Sequence, residues 1–347
     1  MIRLCIASAA MHTSSSSSRF KHGRVLIGVC LASAAMPMTF TGPAVALRDI
    51  ALHLGDSPLG LAWVTNAFML GFGSSLMVAG ALADRLGRRC VLLGGIAGFA
   101  LASLALVAVA DLLVFNLLRA AQGVASAAVI AGGAAALAQT FDGQARLRAF
   151  SLLGTSFGAG LTLGPVAAGW LTQAFGWRAI FVLVAACAAI AWAVAAPALQ
   201  ESRDPQATRL DAPGATVFTL ALTLFTFGLL QAPASGWRSP VTLTALLGAA
   251  AMLGWFVRIE RRADRPMLDL SLFRYPRFVG VQLLAAAPAY GYVVLLVLLP
   301  IRFVGIEGAS AAQVGLWMVV LSAPLLVLPS VAAALVRRVP VASVCGA

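Results

Sequence analysis

Ten apolar stretches constrain this chain more than any other feature of its 347 residues. They lie at about 24–47, 60–82, 90–110, 112–140, 149–172, 178–199, 212–231, 241–257, 278–300 and 314–336. A helix needs about 20 residues to cross the ~30 Å hydrocarbon core of a bilayer, and these runs meet that length. The intervals between them are too short and too few for a separate soluble domain. Only 10% of the residues are charged and 61% are hydrophobic, with a mean hydropathy of +0.95. Soluble domains carry about 25% charged residues. In lipid the backbone must satisfy its own hydrogen bonds, so the sequence predicts an all-α integral membrane protein. Pro37, Pro43, Pro165, Pro288, Pro324 and Pro329 fall inside or beside the runs. Neighbouring membrane helices satisfy the backbone groups that such prolines free.

The formal charge is +12, from 24 basic and 12 acidic residues. On a soluble protein that balance would point to nucleic acid, but no basic patch interleaved with aromatics is present. The basic residues instead sort by side of the membrane. The N-terminal segment and the alternate loops hold Arg3, Arg19, Lys21 and Arg24; Arg85, Arg88 and Arg89; Arg146 and Arg148; Arg203 and Arg209; Arg258, Arg261, Arg262, Arg265, Arg274 and Arg277; and Arg337 and Arg338. The opposite loops hold only Arg48, Arg178, Arg238 and Arg302, a split of 19 to 4. Cytoplasmic loops accumulate Lys and Arg, so the N-terminus is expected in the cytoplasm. Cys5, Cys30, Cys90, Cys187 and Cys345 form no CxxC pair, and His12, His22 and His53 complete no metal-ligand spacing. No metal or cofactor is expected, and Cys30 and Cys187 read as small core residues. The segment 1–23, with its Ser run and basic patch, reads as a disordered cytoplasmic tail rather than a signal peptide.

Three groups of residues ask for a function. The first is GALADRLGRRCVLL, residues 80–93, a charge cluster between two apolar runs. Asp84 and Arg88 are four apart and can pair across a helical turn, with Arg85 and Arg89 beside them. Gly80 removes bulk where helices approach, and Gly87 permits a tight turn. The bland reading is a positive-inside anchor, but an anchor needs neither the Asp nor the glycines. The second is Arg119, the one ionised residue well inside an apolar run. A charge at mid-helix costs roughly 2.5–3.5 kcal/mol on insertion scales, which makes it a functional candidate. Gln122 shares its face, and Gly123 admits a close neighbour. The competing reading is an Arg that snorkels to the interface. The third is GLTLGPVAAG, with Gly160, Gly164, Pro165 and Gly169 spaced for close helix packing. Trp63, Asn66 and Phe68, with Gln282, Tyr290 and Tyr292, are candidate cavity-lining residues or interfacial aromatics.

These segments resemble the major facilitator superfamily. GALADRLGRRCVLL is similar to that family's loop between helices 2 and 3, LLRAAQGVASAA (117–128) to its helix 4 motif, and GLTLGPVAAG to its antiporter motif on helix 5. WVTNAFML (63–70) and GWRAIFVL (176–183) add support, and LDAPG, SGWRSP and ERRADRPMLDLSLFR further resemble the fourteen-helix drug:proton antiporter branch. The resemblance implies a major facilitator fold with about ten of fourteen helices present and a truncated C-terminal side. The expected units are the tail 1–23, a six-helix bundle at 24–200, a linker with two extra helices at 201–260, and a partial C-terminal bundle at 261–347. It further implies multidrug efflux of small organic substrates across the bacterial inner membrane by proton antiport, and admits a periplasmic adaptor protein as partner.

On that resemblance Gly80, Asp84, Arg85, Gly87, Arg88 and Arg89 form a conformational gate, whose far partner would lie beyond Ala347. Arg119, Gln122 and Gly123 serve proton coupling or cavity electrostatics, and the glycine–proline helix seals the bundle interface. One position departs: Thr39 stands where proton-coupled members carry an Asp, and all twelve acids fall in loops or at helix ends. A proton is then handled by Asp49 and His53 at the periphery or by acids on helices beyond Ala347, or the coupling differs altogether. The alternative to a transporter is a truncated, non-transporting remnant or a sensor. An enzyme is not expected, since no acid pair or nucleophile–base set lies at membrane depth.

Overall fold

The computed structural model describes residues 2–203, 211–263 and 268–335. Arg209, Arg265, Arg337, Arg338, Asp204, Asp264 and Cys345 lie outside the described residues, as do the side chains of Arg3, Cys5, His12, Arg19, Pro288 and Pro329. All regular structure among the described residues is helical. In chain order the helices are α1 (Ile2–Val45), α2 (Leu47–Leu54), α3 (Pro58–Leu86), α4 (Arg88–Val107), α5 (Leu112–Thr140), α6 (Gly143–Phe175), α7 (Arg178–Ala195), α8 (Ala212–Ser235), α9 (Pro240–Glu260), a 3₁₀ turn at Leu270–Arg274, α10 (Pro276–Gly305), α11 (Ala311–Ser322) and α12 (Pro324–Leu335). Ten spans among them are long and apolar enough to cross a membrane, the tenth running from α11 into α12.

Local chemistry sets the boundaries. Ser57 caps α3 ahead of Pro58, Asp111 accepts from the Val114 amide to cap α5, and Asp211 accepts from Gly214 to cap α8. Ser310 and Gln313 close a capping box on α11. Several acids therefore stand at helix starts, where the exposed amides and the helix dipole favour negative charge. The segment 1–23, expected to be disordered, is helical from Ile2 and continuous with the first span. No Pro or Gly before Gly23 interrupts it. Asp49 and His53, expected in a loop, lie on the short helix α2, where Ile50 is buried.

Helices α1, α3, α4, α5, α6 and α7 pack as one bundle. α3 lies against α5, α1 against α6 and α7, and α4 against α5 and α7. The α8–α9 hairpin leans on α3, while α11 and α12 pack on α6. One core runs through Val29, Met36, Phe68, Leu92, Phe99, Val129 and Val184. A second gathers Ile50, Val64, Phe115, Trp177 and Phe181 at the end where α2 lies. There Arg178 donates to the Val107 and Val109 carbonyls at 3.0 and 3.1 Å, tying the start of α7 to the end of α4.

Lipid tails are as apolar as leucine, so the helices associate through close packing rather than hydrophobic burial. The α3–α5 contact shows how close that packing is. A Cβ at Gly71 would run into the Ala120 carbonyl oxygen, and one at Gly123 into the Phe68 carbonyl oxygen. Backbone cannot step aside as a side chain can. Gly123→Val and Gly71→Val are each expected to cost about 1–3 kcal/mol, the range for overpacking. Thermal loss of monodisperse protein in detergent should shift down by several degrees for both. Gly73→Val, where a Cβ meets nothing within 4 Å, serves as the control and should leave it in place.

Candidate functional site

The site is built on one face of α5. Asn116, Arg119, Gln122 and Ser126 recur at spacings of three, three and four, so they form a polar stripe along a helix otherwise made for lipid and core. All four are buried, and Arg119 and Gln122 are fully so. Arg119 lies about 12 Å along the axis from the Asp111 cap, at 1.5 Å per residue. Its side chain does not snorkel to an interface but turns inward.

Three helices meet at this guanidinium, and a fourth is joined through Gln122. Its Nε donates to the Val64 carbonyl on α3 at 3.0 Å, and Nη1 donates to Thr39 Oγ1 on α1 at 3.1 Å. Nη1 also donates to Gln122 Oε1 at 2.5 Å. Thr39 passes its own proton to Gln122 Oε1 at 3.2 Å, while Gln122 Nε2 donates to Ser103 Oγ on α4 at 2.7 Å. Ser103 ends the chain on the Phe99 carbonyl. The Phe68 ring lies 4.6 Å from the guanidinium carbon, a cation–π contact in a desolvated place. Among the described residues no carboxylate pairs with Arg119, and its Nη2 is buried without a partner. The charge is held entirely by dipoles and one ring face.

Thr39 explains part of this. Where the resemblance calls for an Asp on α1, the hydroxyl accepts from Arg119 and donates onward. The segment supplies a neutral link in place of a counter-charge. His53, the other proton candidate, bonds through Nδ1 to the Asp49 backbone oxygen at 2.8 Å and not to its carboxylate.

The 80–93 segment folds as a helix–turn–helix at the opposite end from α2. Asp84 and Arg88 approach to 3.6 Å with both side chains partly exposed, a geometry worth about 0–1 kcal/mol. Gly87 holds a φ of 115°, open to glycine alone, and the Glu201 carboxylate packs where its Cβ would be. The Arg88 amide donates to Ser202 O at 3.0 Å, and Arg89 Nη2 to Ala196 O at 3.3 Å. The turn is thus fastened to the stretch that follows α7. Arg85 is exposed and enters no ion pair among the described residues. At Gly80 a Cβ would meet nothing within 4 Å, so among the described residues no helix approaches α3 closely at that position.

The glycines of α6 divide between two faces. Gly160 lies against the Ala34 carbonyl and Gly164 against Met38 and Thr41, all on α1. Gly169 lies against Ala311 at the start of α11, and Gly158 against Leu325 on α12. Gly315 on α11 returns the contact at the Pro165 carbonyl. Across the same seam Thr162 Oγ1 donates to Ser322 O at 2.9 Å, and Tyr292 Oη lies 2.7 Å from Ser322 Oγ.

The proposed cavity residues scatter. Phe68 lines a pocket of about 300 Å³ with Met36, Phe40 and Phe157, between α1, α3 and α6. Trp63 belongs to a separate groove shared with Asn116 and Thr223 of α8. Asn66 donates to the Ala62 carbonyl of its own helix. Gln282 and Tyr290 are exposed, and Cys30 and Cys187 are half-buried, Cys187 packed against the main core. The sequence reading missed Ser103, Asn116 and Ser126 in the buried stripe and Glu201 at the turn. The spacing of 116, 119, 122 and 126 was a signal for two of them; a lone Ser in α4 offers none.

Sequence comparison places this geometry among known proteins. The chain is 30% identical over 297 residues to the multidrug resistance protein Stp of Mycobacterium tuberculosis, covering 85% of this chain and 55% of that protein. It is 33% identical over 260 residues to a methylenomycin A resistance protein of Bacillus subtilis, covering 74% and 55%. With the tetracenomycin C resistance and export protein of Streptomyces glaucescens it shares 28% identity over 337 residues, covering 95% and 62%. The chain thus spans about half the length of the relatives it matches. In fold it is similar to a crystal structure of the peptide transporter POT in complex with sulfate, with a TM-score of 0.62 at 13% identity, covering 91% of this chain and 68% of that one. The Major Facilitator Superfamily pattern matches residues 27–346. On this match and these likenesses, the chain belongs to the Major Facilitator Superfamily.

Proposed function

We propose that this protein is a secondary active transporter that exports drug-like or other small organic compounds across the bacterial inner membrane, in exchange for protons. The observation that carries this reading is the 30% identity with a multidrug resistance protein along 85% of the chain. In this reading two helical bundles rock around a midplane cavity, so that it opens to one side at a time. Helix α6 is the pivot, touching α1 on one face and α11 and α12 on the other. The Asp84–Arg88 pair is weak and partly exposed, which suits a latch that must open and close in every cycle. Arg119 supplies a fixed positive charge inside the bundle, and its unbonded Nη2 gives it a reason to change partners as the bundles move. An unmet buried donor costs about 1–3 kcal/mol. Because Thr39 is neutral, the exchanged proton is carried by groups outside this network, and Arg119 responds to them through its field. The bias of basic residues supports a cytoplasmic N-terminus and 84–89 turn.

Efflux of a cationic dye and an antibiotic panel from pump-deficient bacteria tests the reading. Expression of the wild-type protein should lower accumulation, and an uncoupler should abolish that effect. Arg119→Ala should cut export at least about tenfold, since it deletes several charge-assisted hydrogen bonds worth about 1.5–3 kcal/mol each. Asp84→Asn should lower it more mildly. If both variants export as well as wild type, these roles are wrong.

Orientation has its own test. In a cysteine-free background, Arg238→Cys should react with an impermeant maleimide added to intact cells, and Arg146→Cys only after lysis. The reverse pattern would overturn the topology.

A further inference from the structure

At the end of the bundle that carries the Asp84–Arg88 turn, a cavity opens between α1, α4, α5 and the end of α7. Its volume is about 1050 Å³ including the open mouth. Lys21 and His22 reach it from α1, Arg88 and Arg89 from α4, Gln139 from α5 and Gln200 from beyond α7. Among the described residues no carboxylate lines it. Asp84 and Glu201 stand outside, one engaging Arg88 Nη2 and the other packed on Gly87.

The lining is short of negative charge and rich in donors. Arg88 Nε is buried with no hydrogen-bond partner. Arg89 gives Nη2 to the Ala196 carbonyl and keeps its remaining N–H groups. Gln139 spends its carbonyl oxygen on Ser202, so its NH₂ remains to donate. Lys21 is exposed and makes no ion pair among the described residues. Like charges gathered from two helices into one cavity repel one another until an anion fills it. Several donors lining one cavity suit a tetrahedral oxyanion.

We propose that this cavity binds the phosphate of an anionic lipid headgroup. The lipid source follows from depth and from the neighbouring face of α1. Lys21 and His22 stand in the first turn of the membrane span Phe20–Val45, at headgroup level. Roughly 100–120° around the helix from Lys21, Phe20 and Ile27 are 68% and 59% exposed, an apolar face for acyl chains, and Arg24 lies 5.8 Å from the Phe20 ring. Basic pockets between membrane helices hold lipid phosphates by the same physics.

Native mass spectrometry of the purified full chain, after equilibration with equal amounts of dioleoyl phosphatidylglycerol and dioleoyl phosphatidylcholine, tests the site. Wild type should retain phosphatidylglycerol in clear preference to phosphatidylcholine. Lys21→Glu should lower that retention at least about fivefold, and Lys21→Gln by less, as expected for a basic residue near lipid phosphate. Arg146→Glu, an equal charge change on the exposed start of α6, should not lower it. Matched elution and helical circular dichroism establish that the variants are folded. Inorganic phosphate at 10 mM distinguishes the sources. If the lipid stays, the headgroup is the ligand; if phosphate displaces it in wild type, the same site takes a soluble phosphate and the lipid source is overturned. Equal retention by Lys21→Glu and Arg146→Glu, or no preference between the two lipids, overturns the site.

Discussion

A guanidinium cannot remain charged in a low-dielectric interior unless nearby dipoles replace the water it has lost. Arg119 meets that requirement without a counter-ion, and the arrangement of the first bundle follows from how it does so. The Val64 carbonyl fixes α3, Thr39 fixes α1, and Ser103 brings in α4 through Gln122. A side chain on α5 thus holds three other helices at a set distance and register. The reciprocal glycines Gly71 and Gly123 bring α3 and α5 close enough for Arg119 to reach a backbone oxygen at all. Packing and electrostatics are here one device.

The same contrast separates strong from weak elements in the molecule. Inside, hydrogen bonds to a desolvated charge make the network stiff. Outside, the Asp84–Arg88 pair is hydrated and contributes little, so the turn owes its shape to Gly87 and to the backbone bond from Arg88 to Ser202. In the proposed rocking cycle this division assigns holding to the buried contacts and opening to the hydrated pair, which costs little to break.

Much of the fold was legible because hydropathy measures what lipid demands. The ten runs match the ten spans, with ends shifted where capping residues such as Asp111 and Ser57 set the first turn. Arg119 was legible because a lone charge in an apolar helix has few explanations. Its surroundings were not. Ser103 and Thr39 are ordinary residues in apolar helices, and only the packing of α1 and α4 on α5 brings their hydroxyls to Gln122. Gly80 shows the opposite failure, a small residue in a familiar pattern that faces open space. Nor could composition show that the glycines of α6 serve two different neighbours, since spacing along one helix does not say what stands on each side.

That division of α6 bears on how such a protein can change over time. Gly158, Gly160 and Gly169 meet backbone carbonyls, where even one added methyl has no room. Substitutions there are closed off. Variation is therefore channelled to side chains that line open volume, such as Met36, Phe40 and Phe157. The helix packed tightly on both of its faces is the one with the least freedom to evolve.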